Sequence, residues 1–535
     1  MIAVSKAWAA AQNEVLLPEM FVEITYSVTE PGLDEDATVS GTHEEDFSDA
    51  SQLVGGDLEN IYATLDYGAW GLDGGYGYED GTPDAPGYVT EVLSDADGYF
   101  TEYPTLRVDF GSRHDMLIPG ISITWSKALN GWATDFRVTA YNANTVVAQK
   151  TVTGNTELYT TVWVDLVGYT TITIEILRWS HPYQRVRVSG IELGVQSIYT
   201  KTDLTGFTHT QSADLLSATL PKNEITFKLR NDDDRWNPDL PTGKEKYLLE
   251  QQEIRVRYGM ELEGNIEWID GGIFWLSEWN TPANGLEATF TARDAIGFMG
   301  DEYTGPRSGS LYDLAIEAFE QANLSTLGDG SAQYKVDESL RDIATDFSED
   351  GSEYTIAEML QMIAHAGCCV FYQDRRGVIH IESRPKKYSG YMIEPRISYS
   401  HPEYELSKPV RSIVVEYGTE RQTASVAVGV RGEIQTVNNP LIIAEERALA
   451  VGESAKEILQ TRKTVSGEFR ADLRLDALDN IIVASKYASN VLGITDVEYS
   501  ITGGAFRGKY TGRVVTVNIT PTKVYSNEFY SGEVW

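Results

Sequence analysis

The chain is poor in cysteine, histidine and basic residues, and each shortage closes off a class of function. Cys368 and Cys369 are the only cysteines among 535 residues, and they are neighbours. A bond between adjacent cysteines closes a strained ring and staples no loop. In the apolar setting AGCCVFY they read as two buried thiols. The seven histidines (His43, His114, His181, His209, His365, His380 and His401) never fall three or four residues apart, which argues against a helical metal site. His365 reads as a helix-end or interface residue. Long apolar runs are missing too, and none approaches the roughly 18–20 residues of a membrane span. Lys and Arg number 43 against 80 Asp and Glu, a net charge of −37. Such a surface does not coat nucleic acid phosphates or dock on anionic lipid. The charge is spread along the chain, as solubility requires. The alternative is an acidic channel through which nucleic acid slides without sticking.

Catalytic signatures are also missing. There is no G-x-S-x-G elbow, no H-E-x-x-H and no Walker A loop. A glycosidase needs two carboxylates across a cleft, and nothing singles out a pair. Asp232, Asp233 and Asp234 lack the spacing of a calcium loop and read as a turn. No catalytic residue, metal ligand or cofactor is therefore expected. The start, MIAVSKAWAAAQNEVLLPEM, has one Lys and no long apolar run, so a cytoplasmic product without a secretory signal is expected.

What is present is a cadence of short β runs. A 42% apolar content is that of a folded protein, and 535 residues imply about three to five domains. MFVEITYSV alternates as a strand. The acidic stretch 29–51 reads as a loop or small β excursion, and 61–88, rich in Gly, Asp and aromatics, as a structured loop. From 104 about seven strands recur, among them GISITWS, DFRVTAYN and TTITIEILRW, as in a two-sheet sandwich. After 195 strands resume. Between 301 and 390 two helices enter, opened by Ser310 with Asp313 and by Thr355 with Glu358 in capping-box spacing. GCCVFYQDRRGVIHIES reads as a hairpin turning at Arg375–Gly377. Further strands run from 405, broken by a helix near 442–463, with Ser454 and Glu457 in or before it. The expected class is mainly β and multidomain. It comprises a discontinuous β domain (1–61 with 196–300), an inserted β-sandwich (62–195), a small α+β module (301–404) and a second β domain (405–535), the two β domains suiting a duplicated unit.

Ligand candidates concentrate in the insert. Trp70, Tyr76, Tyr78, Trp132, Trp179 and Tyr183 fall in its loops or at its strand ends, with Asn130, Arg113 and His114 near in sequence. Sugar recognition uses flat apolar faces and a few convergent polar groups, so Trp132, Asn130, Arg113, His114 and Tyr183 form the candidate glycan set. The competing reading makes such aromatics core filling, favoured for Trp125 and Trp163 inside strands. Calcium held by Asp73, Asp80, Asp84 or Glu192 is a weaker alternative.

Several segments resemble a known family in their order along the chain. AVSKAWAAAQ, YATLDYGAWGLDGG, ATLPKNEITFKLRNDDDRWNP, TIAEMLQMIAHAGCCVFYQDRRGVIHI, VRSIVVEYG and RADLRLDALDNIIVASKY are similar to segments of tail hub proteins of phages infecting Gram-positive bacteria. The resemblance spans most of the chain. It implies a homotrimer at the tail tip or baseplate, in which two tube-like β domains per chain make a pseudo-sixfold ring matching the tail tube. It implies that 62–195 is a galactose-binding-like jelly roll, with RWSHPYQRVRVSGIELG similar to the end of such inserts. Implied partners are the tail tube, distal tail or baseplate proteins and a host cell-wall glycan, with DNA only as passing cargo and no membrane insertion. The implied location is the virion tail, assembled in the host cytoplasm. No peptidase or muramidase segment is recognised, so wall hydrolysis is not expected. A carbohydrate-binding surface adhesin, or a polysaccharide-degrading enzyme with a binding module, are the competing readings; the lack of a secretory signal argues against both.

Overall fold

The computed structural model describes residues 1–14, 16–29, 33–54, 87–126, 129–237, 239–240, 247–262, 264–281, 285–324, 332–485, 488–502 and 505–516. The class is mainly β. A short helix, α1 (Lys6–Ala11), is capped by Ser5, whose hydroxyl accepts from the Trp8 amide, and it drives Trp8 fully into the first core. Strand β1 (Met20–Val28) buries alternate residues, as its period of two requires.

After β1 the chain leaves to build a sandwich. It opens with one helical turn, α2 (Leu33–Asp36), and β2 (Ala37–Gly41), then β3 (Tyr88–Leu93), β4 (Thr105–His114) and β5 (Ile118–Trp125). β6 (Ala133–Asn142), β7 (Thr145–Val152), β8 (Tyr159–Leu166), β9 (Tyr169–Trp179) and β10 (Arg185–Glu192) complete it. One sheet runs β2-β4-β9-β6-β7 and the other β3-β10-β5-β8. Leu33, Val39, Ala50 and Leu53 lie in the sandwich core beside Trp125 and Ile174. The sandwich thus begins near residue 33, not at 62: the acidic stretch contributes an edge strand whose Val39 is its one buried residue. The chain returns as β11 (Val195–Tyr199), antiparallel to β1 with Val28 opposite Val195. Entry and exit are therefore one hydrogen-bonded pair of strands.

The meander continues with β12 (Leu204–Ser212), β13 (Lys222–Arg230), β14 (Glu253–Leu262), β15 (Asn265–Asn280) and β16 (Glu287–Arg293). Next come β17 (Ser308–Ser310), α3 (Leu311–Gln321), β18 (Tyr334–Val336), β19 (Ala344–Asp346) and α4 (Ile356–Gly367). Both expected caps form: Ser310 accepts from the Asp313 amide, and Thr355 with Glu358 makes a reciprocal capping box. The hairpin β20 (Cys369–Gln373) and β21 (Ile379–Ser383) follows, with β22 (Met392–Ile393) and β23 (Glu403–Leu406). β24 (Val410–Tyr417), β25 (Gln422–Ala427), β26 (Glu433–Asn438) and α5 (Glu445–Leu459) precede the last strands. These are β27 (Lys463–Arg470), β28 (Asn480–Ala484), β29 (Ser489–Thr502) and β30 (Ala505–Val514). Ser454 and Glu457 lie inside α5 without a break.

Two findings redraw the expected organisation. The two β domains are halves of one thirteen-stranded sheet, ordered β11-β1-β14-β15-β16-β13-β12-β29-β30-β27-β23, with β28 on β29 and β22 on β28. They join where β12 pairs β29, from Phe207 opposite Ile501 to Ser212 opposite Asp496. A single core holds Trp8, Phe227, Tyr258 and Phe290 from one half with Phe469, Leu492 and Tyr510 from the other. Secondly, residues 410–459 pack with the helical module, not with the last strands. Ile413, Val415, Ala448 and Val451 share a core with Leu314, Phe319, Leu360 and Ile363. Helix α5 lies so close on this sheet that a Cβ at Gly452 would come 2.6 Å from a Val426 methyl. Glycine is needed there for the approach.

Candidate functional site

The five glycan candidates do not converge. Trp132, Asn130 and Tyr183 lie at one end of the sandwich, and Arg113 and His114 at the other. The ruler is β9: Ala133 stands opposite Trp179 at its end, whereas His114 stands opposite Tyr169 at its start. Ten residues at about 3.3 Å each separate the groups by roughly 33 Å.

At the Trp132 end, Asn130 takes a left-handed φ of 49° and is exposed. Gly131 then packs on the Trp179 ring. The half-buried Trp132 donates its indole N–H to the Asn155 carbonyl at 2.8 Å and its amide to Ser180 Oγ at 3.0 Å. Its ring meets His181 edge-on at 5.8 Å. Burial pushes the His181 pKa down, favouring the neutral ring. Tyr183 is exposed at a left-handed φ of 55°. Exposed Tyr99 shares this end and carries the Arg178 guanidinium over its ring at 5.1 Å. The arrangement holds one aromatic rigidly and displays two others, with amide and guanidinium donors beside them.

At the opposite end, His114 is buried, stacks on Tyr169 at 5.8 Å and bonds Asp36 at 2.8 Å through Nε2. That bond, more than any other interaction, lowers the Asp36 pKa. Arg113 is exposed and pairs with Asp115 at 2.8 Å. These are structural contacts of a strand end.

The other candidates resolve singly. Trp125 is fully buried, as expected. Trp163 is 43% exposed, against expectation, because Val162 takes the inward position on β8 and the period of two turns its neighbour out. Trp70, Tyr76, Tyr78, Asp73, Asp80 and Asp84 lie outside the described residues. Glu192 accepts from the Tyr159 hydroxyl at 2.9 Å, and no group of three metal-ligating side chains gathers among the described residues. The Asp232–Asp234 run is a turn, with Asp234 at a φ of 56° and Asp233 bound to Arg235. Cys369 is buried and Cys368 half-buried, both free thiols. Burial raises the pKa of both, to about 12 for Cys369, which makes them poor nucleophiles. Among the described residues no helix is long and apolar enough to cross a membrane.

The most elaborate polar cluster is one the sequence did not single out. The β20–β21 turn pushes Arg375 between the two halves of the large sheet and the helical module. Its guanidinium bonds Asp476 Oδ1 at 2.7 and 2.8 Å, the Asp270 carbonyl at 2.9 Å and the Leu475 carbonyl at 3.2 Å. Beside it His209, fully buried, bonds the Tyr258 hydroxyl at 2.7 Å and Asn223 Oδ1 at 2.8 Å. Burial, helped by the Arg375 charge, lowers the His209 pKa to about 4, so the ring is neutral. The Tyr499 hydroxyl lies 2.7 Å from the carbonyls of both Asp472 and Leu475. Next to Arg375, Gln373 bridges the Ile273 carbonyl and the Ala295 amide at 3.0 and 2.8 Å. An open cleft of about 670 Å³ borders the cluster and reaches Asp294 and Asn480. The guanidinium of Arg375 and both ring nitrogens of His209 are engaged, so the arrangement locks three bodies together; on the cleft beside it, the buried Asp294 keeps one carboxylate oxygen without a partner. The only sequence signal was DRRG at a hairpin turn, which marks the turn and not its burial.

No family model matches the chain, and no curated protein matches it. Among solved structures its neighbours are phage tail and baseplate proteins, with carbohydrate-binding modules matching a part of the chain. The 43 kDa tail protein of prophage MuSo2 from Shewanella oneidensis is 12% identical. The match covers 59% of this chain and 94% of that one, with a TM-score of 0.41. The prophage tail protein gp18 from Listeria monocytogenes is 12% identical over 60% of this chain and 91% of that one, with a TM-score of 0.39. The family 32 carbohydrate-binding module of C. perfringens NanJ, solved with galactose, is 18% identical over 33% of this chain and 99% of that one, with a TM-score of 0.21.

Proposed function

We propose that the chain is the structural, non-enzymatic hub of a phage tail tip or baseplate, of the kind found in phages of Gram-positive bacteria. It acts as a homotrimer that joins the tail tube to the distal tail and host-recognition proteins and lets DNA pass as cargo. One observation carries this reading: each chain sets two antiparallel β halves side by side in one sheet, joined at β12 and β29. Three copies then present six comparable β units, which resolves a step from a sixfold tube to a threefold tip. A closed ring of this sort needs head-to-tail interfaces. The order of the hub-like motifs along the chain supports the same reading. Light scattering of the purified protein should give the mass of three chains, and negative-stain images should show rings. A single-chain mass at every concentration up to those of assembly, with the protein absent from purified particles, would sink the proposal.

A second reading concerns the sandwich. Trp132, Asn130 and Tyr183 share an end with exposed Tyr99, which suits stacking on a sugar of the host cell wall. Three copies on one ring would raise avidity without new contacts. A Trp132→Ala variant should lose pull-down on cell wall and signal on a glycan array. If the wild type binds in neither assay, the sandwich is a spacer or a docking surface for neighbouring tail proteins.

A further inference from the structure

Four large apolar side chains stand exposed on β23, on β26 and on the loop before it. Tyr404 is 44% exposed, Leu406 65%, Val430 96% and Ile434 50%. The loop before β26 folds back onto the chain just after β23. The Glu433 amide bonds the Pro409 carbonyl at 2.9 Å, Lys408 pairs with Glu433 at 2.7 Å, and the Val428 and Gly429 amides bond the Arg411 carbonyl. Tyr404 stands opposite Val465, a fully buried residue of the large core. Partners directly opposite point to the same side of a sheet. Tyr404 and Leu406 therefore continue the apolar face of the large sheet beyond the point where the chain covers it. The Lys463 ammonium lies over the Tyr404 ring at 4.2 Å, and this is the polar rim.

The neighbouring three-stranded sheet adds a second, unusual face. Its inner side, Ile413, Val415 and Val426, packs under α5. Its outer side consists of the rows Ala427–Ser412–Ile434 and Ser425–Val414–Thr436, and Glu416 enters only in the next row. Those six positions carry no charge in a chain whose net charge is −37. Among the described residues β26 pairs with β24 alone and β23 with β27 alone. Neither strand contains Pro or Lys, and the charges on them are Glu403 and Glu405 of β23 and Glu433 of β26.

We propose that this patch is one half of the contact through which copies of the chain meet, each copy seating it on a different surface of its neighbour. The inference rests on the trimer reading above and names its surface. Electrostatics selects the occupant. Two bodies of −37 repel as they approach, and a charge-depleted face is where copies close together at the least electrostatic cost. An apolar centre ringed by polar groups is also the anatomy of a protein interface, and the charges at the join of the two faces, Lys408 and Glu433, are paired with each other. A patch this size is the anchor of such a contact, because a stable interface buries about 800 Å² on each partner.

The test is the double variant Val430→Asp, Ile434→Arg in the full chain, measured by light scattering beside its thermal unfolding curve. Both side chains are exposed, so the unfolding midpoint of the isolated chain should hold while the mass falls from three chains to one. A variant that keeps the wild-type mass overturns this contact and leaves the trimer standing, with the patch then belonging to another tail protein. A wild type of single-chain mass overturns both. Should the variant fail to fold, hydrogen exchange of the wild type decides. Amides of 403–406 and 433–438 should exchange at least tenfold more slowly at concentrations where the chain assembles than where it is dilute. Equal rates would refute the contact.

Discussion

Replacing Arg375 by Met tests whether the hairpin turn clamps the molecule. The substitution keeps most of the buried stem and removes the guanidinium, whose side chain is 3% exposed. Asp476 then loses its cation and keeps only the Gln211 amide, the Leu475 carbonyl keeps only the Tyr499 hydroxyl, and the Asp270 carbonyl loses its side-chain donor. Breaking one partner out of a buried pair costs about 3–5 kcal/mol. Asp476 is 27% exposed and can recover water on one side, which places the cost near the lower end, about 3 kcal/mol. In the Asp476→Asn background the stranded charge is gone, so Arg375→Met should cost less, with a coupling of about 1–3 kcal/mol. Urea unfolding read by tryptophan fluorescence measures both, and hydrogen exchange should show the loss at 270–276, 373–377 and 472–479. If Arg375→Met costs under about 1 kcal/mol and the double variant shows no coupling, the joint is solvated and the clamp argument fails.

Three further outcomes follow from the same structure. His209 has a folded pKa of about 4 against an ordinary value near 6.5. Its contribution is whole above pH 6.5 and falls as pH drops from 6.5 towards 4, by about 3 kcal/mol in all; His209→Gln should flatten that part of a stability–pH curve. Burial raises the Asp294 pKa to about 7, while its Oδ1 accepts from the Gly297 amide. Asp294→Asn keeps the cap and removes the charge, so it should raise the melting temperature at pH 8, lose most of that advantage as pH falls from 7 to 4, and lose the rest below the ordinary value of 3.8, where unfolded and folded carboxyls are both protonated. Replacing residues 30–193 by a short Gly/Ser bridge should leave the β1–β11 pair and the assembly intact, as judged by circular dichroism and light scattering, because Val28 and Val195 already face each other.

Much of the local structure was legible in the sequence. Alternation along 20–28 and 170–179 set both the strands and their buried faces, and Ser310 and Thr355 marked two helix starts through the hydrogen bonds they make. What the pattern could not supply was the partner of each strand. A period of two says which side of β12 is buried but not that its neighbour is β29, nearly three hundred residues on. The same blindness placed 410–459 with the last strands: Ile413 and Val415 show a buried face, and only the fold reveals α5 and the helical module against it. Trp163 failed for a plainer reason, since a large apolar residue inside a strand was taken as core although its neighbour Val162 holds the inward position. At the candidate site, nearness in sequence stood in for nearness in space. Arg113 precedes Asn130 by seventeen residues, yet β5 carries the chain from one end of the sandwich to the other between them.

The paired entry and exit of the sandwich also set how it responds to a pull. A load on the sandwich reaches the body through Val28 and Val195, the same end of the β1–β11 ladder, and through side contacts such as the Tyr247 hydroxyl on Asp165 and Leu117 on the large core. A pull along the strands draws β1 and β11 the same way, so it does not part them. It falls instead on the seven pairs that hold β1 to β14, loaded in shear. Rungs loaded in shear yield together, so the sandwich behaves as a stiff arm of the large sheet and not as a tethered weight.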